Sequence, residues 1–364
     1  MPVTVKSFAK INLGLRIGSA RPDGFHELLT VYQTIGLYDV IRVSVGRGSG
    51  IEIRCADPRV PRDESNTCFR IVERAMTALR AKGRVVIEIE KRLPVQGGLG
   101  GASANAVSAL LALERAVRKG LTQSERLGFA ADVGSDLPLF LLGGAVLGVG
   151  RGEQVYPLPD FPATACVVVT PEIGVSTPKA FAQWDRLCGA GASAREGFPK
   201  PGSAEENSSE DEAELRSAGQ PGAAVPTQAE SKLTVLTAFD RMNELGCSLS
   251  AWLSGLYSSA PSHPLERGGR AGNPLLRLDR AGIENDFEQV VFPEYPKLGE
   301  AKGALVRAGA KYASLSGSGS TLYGMFASRQ AADSAIAKLR KAGWAAQMAS
   351  TLTRTAYWRR MWAE

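Results

Sequence analysis

A chain of 364 residues is long for one hydrophobic core and comfortable for two domains, and its 44% hydrophobic and 22% charged residues are ordinary for a soluble globular protein. The five cysteines, Cys55, Cys68, Cys166, Cys188 and Cys247, are odd in number and form no CxxC pair, which argues against a disulfide framework or a zinc site and fits a reducing cytoplasm. The net charge is +6, and since EENSSEDEAE (205–214) holds six acids and no base, the rest carries about +12. That balance suits an anionic substrate such as a nucleotide, or reflects a generally arginine-rich source; no Lys/Arg block interleaved with aromatics points to nucleic acid.

The N-terminal MPVTVKSFAK lacks the apolar core of a signal peptide. Residues 3–17 alternate roughly and predict a strand pair, followed by a turn at RPDG (21–24) and two β-like runs, 28–37 and 39–46. An amphipathic helix is expected over 66–82 and a strand over 85–93. Four glycines then fall within five positions, Gly97, Gly98, Gly100 and Gly101. A helix follows over 103–120, with Ser103 as its N-cap and Arg115, Arg118 and Lys119 near its end before Gly120. The weakly polar run 137–150 is shorter than the ~20 residues of a membrane helix and contains four glycines, so a cytosolic protein without a membrane partner is expected.

Another strand is predicted at 163–171. Residues 189–231, rich in Gly, Ser, Ala, Pro and Glu, predict a disordered insertion, and 258–273 a long loop. The remainder reads helix (295–309), strand (311–316), an SGSGS turn, strand (321–327), helix (329–342) and strand (345–352).

Several of these segments can carry chemistry. A glycine turn leading into a helix offers unpaired N–H groups and a positive dipole end, a cradle for phosphate; the competing reading is a tightly packed turn. It is neither a Walker A loop nor a full Rossmann fingerprint, because Ser103 stands at the third glycine position. In FAKINLGL (8–15), Lys10 either snorkels from an edge strand or neutralises transferring phosphoryl charge. In VGSDLPLFLLGG (133–144), Asp136 is either a turn or capping aspartate or a carboxylate able to accept a hydroxyl proton, and spacing alone does not choose. With two histidines in the chain, His26 and His263, a histidine-based triad or metal site is poorly supplied. Phe25 and His26 together can stack on and hydrogen-bond a planar ring, or merely pack.

FAKINLGLRI, RPDGFHEL, PVQGGLGGASANA, GSDLPLFLLGG and SLSGSGST, in this order and spacing, resemble the GHMP kinase superfamily across nearly the whole chain apart from 189–231 and 258–273. The pairing of RPDGFHEL with SFAKINL resembles its branch that phosphorylates the 2-hydroxyl of 4-diphosphocytidyl-2-C-methyl-D-erythritol with ATP and Mg²⁺, a step of non-mevalonate isoprenoid synthesis. The resemblance implies an α+β fold of two domains, 1–155 and 156–364, the second with a ferredoxin-like βαβ pattern, and an active site in the interdomain cleft. It implies that Pro94, Val95, Gln96, Gly97, Gly98, Leu99, Gly100, Gly101, Ala102, Ser103 and Ala104 form the ATP-phosphate loop, with Asn66 as an adenine contact. It makes Lys10 and Asp136 the catalytic pair, Asp136 as base. Phe25 and His26 would recognise cytidine, Phe181 would cover the ring's other face, and Asn12 would approach the reacting hydroxyl. No Mg²⁺ ligand follows from it, and monomer and homodimer are both compatible.

Three departures stand out. The loop reads GLGGASA where GLGGGSS is usual, so Ala102 and Ala104 are expected to weaken nucleotide binding. Phe25 replaces a tyrosine, and the acidic insertion is foreign to the pattern. A GHMP kinase for homoserine or a mevalonate derivative, a catalytically silent relative and a plain nucleotide-binding module are the competing readings.

Overall fold

The computed structural model of the protein describes residues 2–95, 97–188, 238–257 and 273–362. The predicted insertion 189–231, most of the predicted loop 258–273, and Gln96 lie outside the described residues. The first half of the chain runs β1 (Val3–Ala20), β2 (His26–Gly46), β3 (Ile51–Cys55), α1 (Thr67–Ala78), β4 (Arg84–Glu90), α2 (Gly101–Val117), α3 (Gln123–Val133), α4 (Leu137–Phe140), β5 (Ala145–Val149) and β6 (Gln154–Pro157). The expected strand pair within 3–17 is one strand, and the runs 28–37 and 39–46 are also one. Irregularities in their pairing are absorbed by register shifts, between Phe8 and Lys10 and between Asn12 and Gly14, without interrupting either strand.

β2 is the spine of a six-stranded sheet ordered β3-β4-β2-β5-β6, with β1 paired to β2 along its length. Its N-terminal half holds β5 and its C-terminal half β4. Apolar faces of the helices, among them Ile71, Val72, Val107, Leu110 and Leu113, close a core against Val43, Val85 and Ile87.

The second half runs β7 (Ala165–Val169), α5 (Thr177–Cys188), α6 (Ala238–Tyr257), α7 (Glu288–Glu294), α8 (Pro296–Arg307), β8 (Tyr312–Leu315), β9 (Leu322–Phe326), α9 (Arg329–Lys341), β10 (Ala346–Ser350) and α10 (Arg354–Met361). Its antiparallel sheet is ordered β10-β7-β9-β8, so strand, helices, hairpin, helix and strand interleave in the ferredoxin-like manner. α10 returns to the first core. The Tyr357 ring lies 5.8 Å from that of Phe8, and its hydroxyl donates to the Phe140 carbonyl at 2.8 Å.

A short segment before α7 ties the two sheets together beside the middle of β1. Leu15 N–H donates to the Glu284 carbonyl at 2.8 Å and Asp286 N–H to the Leu15 carbonyl at 2.9 Å. The Asp286 carboxylate, 0% exposed, accepts from Arg16 Nη1 at 2.8 Å and from Ile17 N–H at 2.9 Å. Asn at this position keeps the shape and removes the charge opposite a buried guanidinium. Asp286→Asn is therefore expected to cost about 2 kcal/mol, read as a lower urea midpoint with an unchanged slope.

Cysteine placement supplies a second check on this packing. Burial pushes the thiols of Cys68 and Cys166 up to about 12. A thiol with a raised pKa stays protonated, hence unreactive, at every pH below that value. Cys55 is buried as well, whereas Cys188 and Cys247 are exposed. At pH 8 a thiol reagent is expected to label Cys188 and Cys247 in the folded protein and the other three only after unfolding. Rapid labelling of Cys68 or Cys166 in native buffer contradicts this core.

Candidate active site

The strand-to-helix turn after β4 is held from below by one buried carboxylate. Asp39 on β2, 0% exposed, accepts from Arg92 N–H at 2.7 Å and Leu93 N–H at 2.8 Å through one oxygen. Through the other it accepts from Lys91 Nζ at 2.6 Å and Asn105 Nδ2 at 2.9 Å. Four donors on one desolvated carboxylate fix the entry to the glycine loop and the first turns of α2 relative to the sheet.

α2 begins at Gly101 with Gly100 as N-cap in the left-handed region (φ 68°), and no side chain caps it. The expected cap, Ser103, lies inside the first turn, because Gly100 adopts the turn conformation three residues earlier. The first-turn N–H groups therefore lack intrahelical partners, and no acid stands among them. Pro94, Val95, Gly97 through Ser103, and Asn66 line a cleft of about 820 Å³. Ala104 does not. It turns into the core at 2% exposure, so its missing hydroxyl has no bearing on a molecule in the cleft. Asn66 caps α1, accepting from Cys68 N–H at 2.8 Å while its Nδ2 donates to the Pro61 carbonyl at 2.7 Å. One amide hydrogen and the second lone pair of Oδ1 are what its side chain still has to offer.

The two small-residue turns of the sequence meet here. Thr321 N–H donates to the Gly97 carbonyl at 3.1 Å, and the Ser316 hydroxyl donates to the Gly98 carbonyl at 3.0 Å. A Cβ on Gly98 would stand 2.1 Å from the Ser316 carbonyl oxygen. The bare backbone at 97–98 thus admits the β8–β9 hairpin, while the helix end at 100–103 faces the cleft. Asn285 Nδ2 holds the hairpin from behind, through the carbonyls of Leu315 at 2.9 Å and Gly317 at 2.8 Å.

Below the hairpin lies the polar centre. Lys10, 3% exposed, donates from Nζ to Asn12 Oδ1 at 2.7 Å and pairs with Asp136 Oδ2 at 3.3 Å. Its backbone N–H donates to the Leu99 carbonyl at 3.0 Å, joining β1 to the glycine loop. Asn12 Nδ2 donates to Thr30 Oγ1 at 2.8 Å, so the amide is oriented. Asp136 precedes α4 yet makes no side-chain cap; its carboxylate instead accepts from the Tyr32 hydroxyl at 3.0 Å. Burial, with Asp136 beside it, holds the Tyr32 phenol well above its ordinary value, which keeps it a donor. The capping reading of Asp136 falls. A third-exposed carboxylate aimed into the cleft and fixed by a buried ammonium can take a proton from a hydroxyl placed against it.

The far end of the same cleft is aromatic. His26 stacks on Phe181 with ring centroids 4.8 Å apart, and its Nε2 lies 2.6 Å from Asp185 Oδ1. Phe181 meets Phe287 edge-on at 5.0 Å. Phe25 is 49% exposed with the Arg151 guanidinium 4.8 Å above its ring. The structure thus brings together Lys10, Asn12, Phe25, His26, Asn66, Asp136, Phe181 and the loop residues Pro94, Val95 and Gly97 through Ser103 in one cleft. Tyr32, Asp185, Arg151 and Asn285 had not been singled out. For Asp185 a signal existed: it follows Phe181 by four residues on one helix, hence on one face.

A helix-ended glycine loop, a lysine–carboxylate pair and a hairpin of small residues, set between a six-stranded sheet and a ferredoxin-like one, define the fold and cleft of a GHMP kinase. Family models agree: GHMP kinases N terminal domain matches residues 66–144, and GHMP kinases C terminal matches 268–344. The chain is 34% identical over 332 residues to a 4-diphosphocytidyl-2-C-methyl-D-erythritol kinase of Solibacter usitatus, covering 91% of this chain and 84% of that one. It is 32% identical over 340 residues to that of Acaryochloris marina, covering 93% and 92%. A crystal structure of 4-(cytidine 5'-diphospho)-2C-methyl-D-erythritol kinase superposes with a TM-score of 0.63 at 26% identity, over 96% of this chain and 98% of the other. The chain belongs to the 4-diphosphocytidyl-2-C-methyl-D-erythritol kinase family. It is an enzyme, an ATP-dependent phosphotransferase. Among the described residues no helix is long and apolar enough to cross a membrane.

Proposed function

We propose that the protein transfers the γ-phosphoryl group of ATP to the 2-hydroxyl of 4-diphosphocytidyl-2-C-methyl-D-erythritol. The observation that carries this reading is the Lys10–Asp136 pair at 3.3 Å, lying in one cleft between an uncapped helix N-terminus and the Phe25–His26 end. In the proposed step Asp136 takes the hydroxyl proton, the oxygen bonds to the γ-phosphorus, and the bond to ADP breaks. Tyr32 and Lys10 hold the carboxylate in place, and Lys10, oriented by Asn12, lies where charge develops. The first-turn amides of α2 would hold phosphate oxygens.

Mg²⁺, when bound, supplies charge neutralisation on the phosphates. The side-chain oxygens lining the cleft near α2 and α4 are the Ser103 and Ser135 hydroxyls and the Asp136 carboxylate, and the described residues hold no cluster of three His, Cys, Asp or Glu side chains. Such a sparse set fits an ion bound chiefly through phosphates and water.

At the other end, Phe25 offers a ring face to cytosine. With His26 Nε2–H donating to Asp185, Nδ1 is left as an acceptor, which matches the exocyclic amine of cytosine. Phe181 lies against His26 itself, so its part is to fix the imidazole. A division near residue 155 is supported by the passage from one sheet to the other between β6 and β7, with α10 returning to the first.

The deciding assay follows ADP release with ATP, Mg²⁺ and the cytidyl substrate, with homoserine and mevalonate alongside. Turnover with the cytidyl substrate alone is expected. Turnover with another alcohol in its place overturns the specificity but keeps the kinase, and ATP binding without any turnover points to a silent relative.

A further inference from the structure

Among the described residues four Lys and Arg side chains line the cleft, and three are engaged elsewhere. Lys10 Nζ is held by Asn12 and Asp136, Lys91 Nζ by the buried Asp39, and Arg59 makes two side-chain bonds to Asp57, at 3.0 and 2.7 Å. The fourth is Arg151, on the turn between β5 and β6. Its ion pair is loose, Nε to Glu153 Oε1 at 3.6 Å, and what holds Glu153 Oε2 is the Arg151 backbone N–H at 2.6 Å. The turn is thus fixed by the main chain while the guanidinium remains available. It lies 4.8 Å over the ring of Phe25, with its side chain 27% exposed to the cleft.

The acceptor in the proposed reaction is a nucleoside diphosphate ester, and its diphosphate links the pyrimidine to the reacting polyol. A molecule with its base at Phe25–His26 and its hydroxyl at Lys10–Asp136 must carry that diphosphate between them. We propose that Arg151 is a specificity-determining residue that binds the diphosphate of the acceptor substrate, with Phe25 as the platform that orients the guanidinium. A planar guanidinium offers paired donors to phosphate oxygens, and stacking on a ring leaves those in-plane donors unobstructed. Glu153, and Asp23 on the neighbouring turn, are the carboxylates that face it, and they keep an empty site from being a bare positive patch. The proposal rests on the cytidyl reading of the cleft and adds to it the group that reads the phosphates.

Calorimetric titration of the full-length protein with cytidine and with cytidine 5′-diphosphate separates the two ideas. The wild type is expected to bind the diphosphate more tightly, and Arg151→Met to lose about tenfold or more of that preference while its affinity for cytidine stays within about twofold. Arg151→Lys, which keeps charge but not the fork, is expected to fall between. An unchanged preference in Arg151→Met overturns the proposal, and so does an equal loss for both ligands, which makes Arg151 a packing partner of Phe25. Equal wild-type affinities for the two ligands overturn it as well. A wild type that binds neither ligand overturns the cytidyl reading itself, and the Arg151 proposal with it. Unfolding midpoints of both variants are recorded beside the titrations, and the lysine form carries the comparison if the methionine form is unstable.

Discussion

Asp136→Ala is expected to lower kcat by about three orders of magnitude while ATP affinity stays close to that of the wild type and the unfolding midpoint falls only modestly. A positioned general base contributes roughly 10²–10⁴ in rate, which sets the size of the effect. The fold should survive the change because the Asp136 side chain is a third exposed, although its partner Lys10 is buried and loses its counter-charge, which costs about 1–2 kcal/mol. Water can enter the space left by the carboxylate from the cleft, Lys10 keeps Asn12 as a partner, and the buried Tyr32 hydroxyl loses its acceptor. Nucleotide binding should survive for a different reason: the α2 N-terminus is built by Asp39 and Gly100, neither of which touches Asp136. Stopped-flow or coupled ADP assays give kcat, and calorimetry gives ATP affinity. A fall in kcat of less than tenfold removes Asp136 from the chemistry. Parallel loss of binding and turnover makes it a structural aspartate.

Much of the site was legible because its residues sit in short segments with local signatures. Lys10 and Asn12 stand in an apolar strand, Asp136 before a proline, and the glycines in a strand–turn–helix. What was not legible depends on pairing across the chain. Residues 3–17 alternate only roughly and so read as a strand pair; pairing with β2 along their length, with register shifts rather than a turn, makes them one strand. Ser103 looked like the cap of α2 by residue type, yet a left-handed Gly100 starts the helix earlier and leaves the serine in the first turn. Ala104 looked like part of the phosphate loop by position, and helical periodicity turns it into the core. Tyr32 lay in a run read only as strand, and its bond to Asp136 spans 104 residues. Arg151 had no signal beyond an arginine between glycines, and Asn285 none, since its role is to hold carbonyls thirty residues further on.

The glycine cluster raises the remaining test. Gly98→Ala is expected to cost about 4 kcal/mol and to remove most turnover, whereas Gly24→Ala should cost about 1 kcal/mol and leave activity intact. The two glycines share a left-handed backbone, φ 78° and 82°, so the intrinsic penalty of a Cβ is nearly the same. They differ in their surroundings. A Cβ at position 24 meets nothing within 4 Å, while one at 98 meets the carbonyl oxygens of Ser316 at 2.1 Å and Gly319 at 2.8 Å. Backbone oxygens cannot swing aside as a side chain would, so the hairpin must lift from the glycine loop. The bonds from Ser316 to Gly98 and from Thr321 to Gly97 then stretch or break. Gly317 rides on that hairpin, 3.5 Å at its Cβ position from Lys10 Nζ, so the displacement reaches the polar centre. Urea midpoints of the two variants, taken with their kcat values, measure the difference. If Gly98→Ala costs no more than Gly24→Ala and still turns over, then glycine at 98 serves backbone conformation alone and the hairpin does not depend on it. If it costs several times more, the bare backbone is there to let two distant turns close on each other, and the helix end beside it is what remains for phosphate.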